Sequence, residues 1–318
     1  MRFGLPADAR VVSCYEAGRD GFWLHRALWA MGVENAVVDS SSIEVNRRQR
    51  RAKTDRLDAR KLVGMLFRWL WGDEKVWRVV RVPSVEEEDR RQLHRELVTA
   101  RRDRARLVNR IKALLFGQGI RLSELKGLPD HVAELRQWNG EALPSGLQQR
   151  VLREWQKVEE RTEQIGILLK ERRERLRTGE DAGSECARRL CQLRGIGENA
   201  AWLFSLEFFS WRKFRNRREV GGLSGLVGTP SDSGETKREL GISKAGNRWV
   251  RGLAVEIAWG WLRYQPASEL SQWYQRRFGQ GSSRMRKVGI VALARKLLIA
   301  LWRYSETGVV PAGAVLKS

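Results

Sequence analysis

The stretch Ala-Arg-Val-Val-Ser-Cys-Tyr-Glu-Ala-Gly at residues 9–18 decides the fold of the N-terminal region. Its first seven residues are β-prone, and Glu16 and a glycine follow, which is typical of a strand that ends in a turn. Residues 21–31 have helical spacing, residues 36–38 form a second short apolar run, and residues 57–71 form an amphipathic segment. The order strand–helix–strand–helix predicts an α/β unit with a mostly parallel sheet.

The middle of the chain has a different pattern, in which apolar residues recur on alternating steps of four and three. One such segment opens with a capping box at residues 84–87 and ends at Gly117 and Gly119, and a second extends from about 147 to 176. Two matched heptad seams joined by a loop predict an antiparallel coiled-coil hairpin or a dimer arm. A plain helical bundle is the alternative interpretation.

The remainder of the chain indicates a compact, mostly helical module after a small polar linker. A Gly/Ser/Thr-rich segment at 224–246 interrupts its helices, which are predicted near 198–208, 216–223, 247–263, 267–278 and 285–303. The sequence therefore predicts a mixed fold with three regions, namely an α/β domain at 1–82, a coiled-coil linker at 83–178 and a helical domain at 185–305.

The charge balance points to a polyanionic partner. The 318 residues include 60 Lys and Arg against 38 Asp and Glu, a formal net charge of +22. So many positive charges repel one another in a compact fold, and binding to nucleic acid is the simplest explanation for them. The apolar runs are too short to span a bilayer, and the N-terminus lacks the apolar core of a signal peptide. Because the three Cys and three His have no zinc spacing, we expect a cytoplasmic nucleic-acid protein whose metal chemistry, if any, uses carboxylates.

Three carboxylates form the first candidate site. Glu16 lies where a strand is predicted to end, the usual place for functional side chains in an α/β sheet. Asp55 and Asp58 are three residues apart at a predicted helix start, so both point to one face. Carboxylate oxygens are the ligands that Mg²⁺ prefers, and paired metals suit phosphodiester chemistry. In the alternative interpretation, Asp55 only favours the helix N-terminus and Asp58 pairs with Arg or Lys.

Basic and glycine-rich segments are candidate nucleic-acid contacts. The run Arg47 to Lys61 places eight basic residues around the acids, which fits a bound phosphate backbone or a solvated basic face. Gly195-Ile196-Gly197 resembles the turn of helix-hairpin-helix proteins, whose backbone N–H groups approach a phosphate, although an ordinary tight turn has the same pattern. The candidate contacts are Arg50, Arg51, Lys53, Gly195, Gly197, Lys237, Arg238, Lys244, Asn247 and Arg248. The start of the last predicted helix (Arg284, Arg286, Lys287) is a secondary candidate.

A serine-containing segment is the third candidate site. Thr-Pro-Ser-Asp-Ser-Gly occupies residues 229–234, and Gly-Ile-Ser-Lys-Ala-Gly-Asn-Arg follows at 241–248. A serine in a glycine-bounded loop among cations could attack a phosphodiester, because the cations stabilise both the alkoxide and the pentavalent transition state. Ordinary turn chemistry is the alternative interpretation. No His lies nearby in the sequence, which argues against a Ser-His-Asp triad.

Four motifs in a fixed order resemble the DEDD insertion-sequence transposases of the "IS one-ten" family. They are Tyr15-Glu16-Ala17-Gly18, Lys53-Thr54-Asp55-Arg56-Leu57-Asp58-Ala59, Leu193-x-Gly195-Ile196-Gly197, and Ser233-Gly234 with Gly241-Ile242-Ser243-Lys244-x-Gly246-Asn247. The resemblance covers essentially the whole chain. It implies a RuvC-like (RNase H-fold) domain, a coiled-coil linker and a C-terminal transposase domain, and it implies a serine-dependent site-specific recombinase guided by a structured bridge RNA.

The resemblance also implies roles for single residues. Glu16, Asp55 and Asp58 match the last three acids of the DEDD tetrad and would hold Mg²⁺. Ser233 matches the serine nucleophile, because it precedes Gly and lies at the expected distance before the Gly241 motif, and Ser231 ranks second. The implied partners are donor and target DNA, the bridge RNA and further copies of the chain through the coiled coil.

One departure from the family pattern concerns the first acid. In the family this Asp lies on an opening strand several dozen residues before the Glu strand, whereas only 15 residues precede Glu16 here. Asp8 belongs to the loop that leads into the Glu strand, so we expect the first acid and the opening strands to be missing. Two functions are therefore predicted: an RNA-guided DNA recombinase with a covalent serine intermediate, or a catalytically inactive nucleic-acid-binding remnant of one.

Overall fold

A computed structural model describes residues 6, 8–18, 21–43, 55–233 and 236–317, without the side chains of Asp55 and residues 230–240. Over these residues the chain is mostly helical with few strands, which agrees with the predicted mixed class. The RuvC-like fold, the coiled-coil character of the linker and the three domain boundaries remain predictions. No described helix is long and apolar enough to cross a membrane.

The N-terminal elements follow the predicted order. They are β1 (Val12–Glu16), α1 (Trp23–Ala30), β2 (Glu34–Val38) and α2 (Asp55–Leu70). The two strands pair in parallel, with Val12 opposite Glu34 and Glu16 opposite Val38, as the pattern predicted. Because β2 contributes Ala36, Val37 and Val38 to the buried core, the sheet is anchored through this strand.

The helix predicted to open at the capping box is interrupted. A short α3 (Val85–Asp89) is followed by a tight turn and then by α4 (Gln92–Phe116). In the turn, the backbone N–H of Arg91 donates to the carbonyl oxygen of Glu88 at 3.2 Å. Arg91 is 4% exposed, and its guanidinium lies 5.0 Å from the centre of the Trp211 ring. This tertiary contact accounts for the break, because local capping preferences are weak beside burial of an aromatic and a cation.

After α4, a connection that contains α5 (Leu128–His131) leads to the long helix α6 (Ser145–Thr178), which runs back along α4. Two contacts establish that the long helices are antiparallel: Gln164 bonds to Glu96 at 2.7 Å, and Arg110 bonds to Glu154 at 3.0 Å. Their facing apolar residues include Ile111, Leu115, Val151 and Val158, all at most 5% exposed. The predicted antiparallel hairpin is therefore present.

The C-terminal third contains α7 to α12 and a β-hairpin. Its elements are α7 (Ala182–Cys191), α8 (Glu198–Phe204), α9 (Arg217–Ser224), β3 (Gly228–Ser233), β4 (Thr236–Ile242), α10 (Arg248–Tyr264), α11 (Glu269–Tyr274) and α12 (Ser283–Thr307). One turn of π-helix continues α8 over Ser205–Phe209, and another continues α11 over Gln275–Gly279. The five predicted helices lie close to their predicted positions, whereas α7 was not predicted and the segment expected to be irregular forms β3 and β4.

The chain divides into two compact units. The first unit comprises residues 1–86 and 212–251, and the second unit comprises residues 87–211 and 252–318. The first unit therefore holds both the predicted acidic residues and the β3–β4 hairpin. Helix α9 also lies in the first unit, and α10 begins there. The second unit holds the helical hairpin, α7, α8, most of α10, α11 and α12.

Candidate functional site

The structure places the described acids at the ends of two adjacent elements of the first unit. Glu16 is the last residue of β1 and is exposed. Asp58 lies in the first turn of α2 and is also exposed. Asp55 is the first residue of α2, but its side chain lies outside the described part, as do Arg50, Arg51 and Lys53 entirely. The convergence of the three acids therefore remains a prediction.

The packing of β1 against α2 gives these acids a common orientation. The Cys14 thiol donates to the carbonyl oxygen of Leu62 at 3.8 Å, and both residues border the buried cluster around Met65. Side chains two apart on a strand share a face, so Glu16 extends the face of Cys14. Residues four apart on a helix share a face, so Asp58 extends the face of Leu62. Both carboxylates thus continue surfaces that pack against each other.

The surroundings of Glu16 and Asp58 are consistent with ligand binding. Neither carboxylate forms an ion pair within the described residues, so the alternative in which Asp58 is neutralised by Arg or Lys gains no support there. Among the described side chains no group of three or more His, Cys, Asp or Glu could by itself hold a metal ion. With Asp55 as a third oxygen donor, the donor set has the chemistry that Mg²⁺ requires.

The candidate serines lie on the β3–β4 hairpin. Ser233 ends β3 opposite Thr236, Ser231 pairs with Arg238 and Asp232 pairs with Lys237. Because successive strand positions alternate, positions 231, 233, 236 and 238 belong to one face of the hairpin. The side chains of these residues are outside the described part, so the choice between Ser233 and Ser231 remains a prediction, as do the contacts of Lys237 and Arg238.

The base of this hairpin is clamped to the end of α9. The backbone N–H of Ser243 donates to Val227 at 2.8 Å, and that of Asn247 donates to Leu223 at 3.2 Å. Gly246 has a φ of +76°, and a Cβ atom there would collide with the carbonyl oxygen of Leu223. Gly225 has a φ of +70°, and its Cβ would collide with the carbonyl of Ala245. Both positions therefore require glycine.

Two side chains complete the clamp. The guanidinium of Arg251 donates to the carbonyl oxygens of Ser224 at 3.3 Å and Ala245 at 3.1 Å. The Asn247 side chain accepts from the backbone N–H of Trp249 at 2.9 Å and so caps α10. Sequence reasoning missed Arg251 because its partners are backbone atoms. Asn247 carries a structural role in addition to any predicted nucleic-acid contact.

Two basic residues beside the clamp remain available at the surface. Lys244 is exposed and adopts a left-handed backbone with φ of +57°, which is uncommon for a residue other than glycine. Arg248 is exposed at the start of α10. Their positions are compatible with the predicted phosphate contacts, which remain predictions.

The Gly195–Gly197 turn connects α7 to α8 in the second unit. Gly195 has a φ of +89°, and a Cβ there would lie 3.0 Å from Cβ of Tyr264. The first helical residue after the turn, Glu198, lies 3.5 Å from a guanidinium nitrogen of Arg172. The positive φ and the close approach explain Gly195 without a ligand, whereas the exposed Gly197 has no such neighbour. The predicted phosphate contact of both glycines remains a prediction.

A buried ionic cluster in the second unit was not foreseen from the sequence. The Glu207 carboxylate, 3% exposed, receives two hydrogen bonds from the Arg95 guanidinium, at 2.9 and 3.2 Å. The neighbouring His94 is 1% exposed, and burial lowers its pKa to about 4. His94 is therefore neutral at neutral pH. The cluster ties α4 to the π-helical turn that follows α8.

The chain is similar to known transposases along most of its length. Residues 187–275 match the family model described as "Transposase IS116/IS110/IS902 family". The chain is 42% identical to y4rJ of Sinorhizobium fredii, a protein named as a transposase, over 95% of this chain and 79% of that protein. It is 31% identical to y4qE of the same organism, over 90% of this chain and 66% of that protein.

A third relative is the transposase for insertion sequence element IS1328 of Yersinia enterocolitica. It is 28% identical over 69% of this chain, which spans 63% of that protein. The similarity to y4rJ is high enough, and covers enough of both proteins, to establish common membership. The chain therefore belongs to the IS116/IS110/IS902 family of transposases.

Proposed function

We propose that the protein is a DNA recombinase of an insertion sequence that cuts and rejoins strands through a covalent link to Ser233. The observation that carries this proposal is the clamp at the base of the β3–β4 hairpin. The motif Gly241–Asn247, which lies within the segment that matches the family model, is the segment that fixes this hairpin to α9 and α10. A rigid base for a hairpin that bears a serine suits a nucleophile, because a reacting atom must be held near its target.

In the proposed reaction the Ser233 oxygen attacks a phosphorus atom of the DNA backbone. The bond between that phosphorus and one deoxyribose oxygen breaks, and the serine proton ends on the departing oxygen. The strand stays attached to Ser233 as a phosphodiester until a strand hydroxyl attacks it and restores the serine. Lys237, Arg238, Lys244 and Arg248 would stabilise the charge of the pentavalent transition state.

Glu16, Asp55 and Asp58 would hold Mg²⁺ in the same unit. The shared orientation of Glu16 and Asp58 and their exposed carboxylates support this part of the proposal. A bound Mg²⁺ would neutralise phosphate charge and orient the DNA backbone. The packing of β1 against α2 fixes the backbone elements that carry Glu16 and Asp58.

A structured guide RNA and further copies of the chain are the proposed partners besides DNA. The net charge of +22 supports binding of more than one polyanion. The antiparallel hairpin of α4 and α6 is the proposed contact between copies, because a paired-helix arm exposes a long side surface to a second arm.

The test of the nucleophile is substitution of each candidate serine in the full chain, with guide RNA and labelled donor DNA. Ser233→Ala should reduce the covalent protein–DNA adduct on a denaturing gel by at least about a hundredfold, since no other oxygen would occupy its place. Duplex affinity should stay unchanged. Ser231→Ala is the matched control and should still form the adduct.

Two outcomes would contradict the proposal. An adduct that survives Ser233→Ala and disappears with Ser231→Ala would transfer the role to Ser231. Strong DNA and RNA binding without any adduct in the unsubstituted chain would favour the alternative, a nucleic-acid-binding remnant of a transposase.

A further inference from the structure

A strongly basic surface lies in the second unit, beyond the segment that matches the family model. Between Glu269 and Glu306 the sequence has no acidic residue and eight basic ones. Five of them occur within residues 276–287, and all five are exposed. These five form what we call the α11–α12 basic surface: Arg276, Arg277, Arg284, Arg286 and Lys287.

The cations of this surface lack the acidic partners that other exposed arginines have. On α6, Arg175 pairs with Glu171 and Arg177 pairs with Glu174, each at 2.7 Å. Within the described part of the chain, no residue of the α11–α12 basic surface forms an ion pair. Like charges that lie close together without counter-charges repel one another. A bound anion would therefore lower the electrostatic repulsion among these five cations.

The two basic runs are held in place by packing beneath them. Phe278 follows Arg276 and Arg277 in the sequence, and its ring packs on Gly289 of α12. The packing is so close that a Cβ atom at Gly289 would lie 2.5 Å from the ring. The Tyr274 hydroxyl donates to the carbonyl oxygen of Arg286 at 3.3 Å. The segment between the Arg276–Arg277 run and the Arg284–Lys287 run is therefore short, and these two contacts fix its position. The backbone that carries the five basic residues is thus in place before a ligand binds.

We propose that the α11–α12 basic surface binds the sugar–phosphate backbone of double-stranded DNA. Guanidinium and ammonium groups without acidic partners are the groups that bind backbone phosphates independently of sequence. Duplex DNA is the occupant because the chain belongs to a transposase family. The inference rests on DNA as the substrate of the proposed function, but it does not depend on Ser233 or on the carboxylates.

The test compares two triple substitutions that remove the same charge from the full chain. Arg284→Ala, Arg286→Ala and Lys287→Ala remove three cations from the surface. Arg173→Ala, Arg175→Ala and Arg177→Ala remove three cations from α6, where carboxylates lie within 4 Å. The readout is the affinity for a short random-sequence DNA duplex, measured by fluorescence anisotropy over a series of salt concentrations.

The surface variant should bind the duplex at least about tenfold more weakly, and the slope of log K against log salt should become shallower by about 2–3, since each lost phosphate contact contributes about 0.9. The α6 variant should keep the original slope. Arg284→Lys with Arg286→Lys, which preserves charge, should also keep it. Arg276→Gln with Arg277→Gln tests the same surface without altering α12 and should reduce the slope by about 1–2.

Three results would overturn the proposal. One is an equal loss in both triple variants, which would indicate an effect of net charge alone. Another is unchanged duplex binding by the surface variants. The third is loss of binding to a structured RNA with duplex binding intact, which would make this an RNA surface. Ser233→Ala should leave the slope unchanged, so a failure of the nucleophile assignment is separable from a failure here.

Discussion

The N-terminal part of the first unit and the core of the second unit differ in how they treat large apolar side chains. In residues 8–86, several aromatic rings are more than half exposed: Trp23, Trp29, Phe67 and Trp71. None of the eight residues of α1, all of them described, is buried. In the core of the second unit four large rings are at most 1% exposed, namely Trp202, Phe204, Phe208 and Trp261, whereas Phe116, Trp138 and Trp259 at the surface of the same unit are at least half exposed.

The difference teaches where the folding free energy of this chain is concentrated. Burial of an aromatic side chain contributes on the order of 2–3 kcal/mol to the free energy of folding. Several aromatic side chains make this contribution in the second unit, whereas the exposed rings of the N-terminal part do not. Two paired strands with two helices give a small core, here centred on Val38, Met65 and Trp77.

Limited proteolysis should reveal this difference as the largest effect. Because local opening is cheaper where few apolar contacts are broken, residues 1–80 should be cleaved at least about ten times faster than residues 252–305 of the second unit. The measurement is mass spectrometry of fragments from the chain free of nucleic acid. Equal resistance of both regions in a monomer would contradict the comparison and would mean that the small N-terminal core is sufficient.

Breaking the buried ion pair of the second unit should produce the next largest effect. Glu207→Ala leaves the guanidinium of Arg95, which is half buried, without its two hydrogen bonds, and loss of one partner of a buried pair costs about 3–5 kcal/mol. The free energy of unfolding by urea, followed by circular dichroism, is the measurement. The matched control is Glu174→Ala, which removes the exposed partner of Arg177 and should leave the free energy of unfolding almost unchanged.

If the Glu207 and Glu174 variants lose equal stability, the buried pair contributes no more than a surface pair. A loss confined to Glu207→Ala would show that the ionic contact between α4 and the π-helical turn belongs to the core of the second unit. The comparison of the two units would then rest on polar as well as apolar burial.

Periodicity predicted the helices, because the apolar face of a helix repeats within a few residues. The ends of α6, α9 and α10 lie within about two residues of their predicted positions, as expected for elements with strong patterns. The β3–β4 hairpin was missed because its strands carry Pro230, Gly241 and several polar residues instead of an apolar alternation. Strands without an apolar alternation leave little signal in the sequence.

Contacts between distant residues were beyond sequence reasoning for a different reason. Glu207 is an acid within an apolar run, and nothing nearby in the sequence indicates that its partner, Arg95, lies 112 positions earlier. The turn at Arg91 likewise depends on Trp211. For the candidate site, the motifs predicted that Glu16 ends a strand and that Asp58 lies at the start of a helix. The contacts of Arg251 could not be predicted, because they are made to backbone carbonyl oxygens, which no sequence pattern encodes.

The smallest of the three effects concerns pH and sharpens the comparison further. His94 is buried in the second unit, and burial lowers its pKa from 6.5 to about 4. The folded chain therefore keeps His94 neutral where the unfolded chain protonates it. Stability from this residue is nearly complete at pH 7.5 and is lost as the pH falls toward 4, with a total of about 3 kcal/mol and about 1.4 kcal/mol lost by pH 5.5.

The measurement is the urea midpoint between pH 7 and pH 4.5 for the unsubstituted chain and for His94→Leu, whose side chain cannot titrate. The difference in unfolding free energy between the two proteins should shift in favour of the variant as the pH falls. His131→Leu is the control variant, because it removes an imidazole that is exposed and lies 3.2 Å from Glu134 instead of one that is buried. Parallel profiles for the unsubstituted chain and His94→Leu would mean that His94 is reached by solvent, and the second unit would then be less tightly packed at α4 than its burial implies.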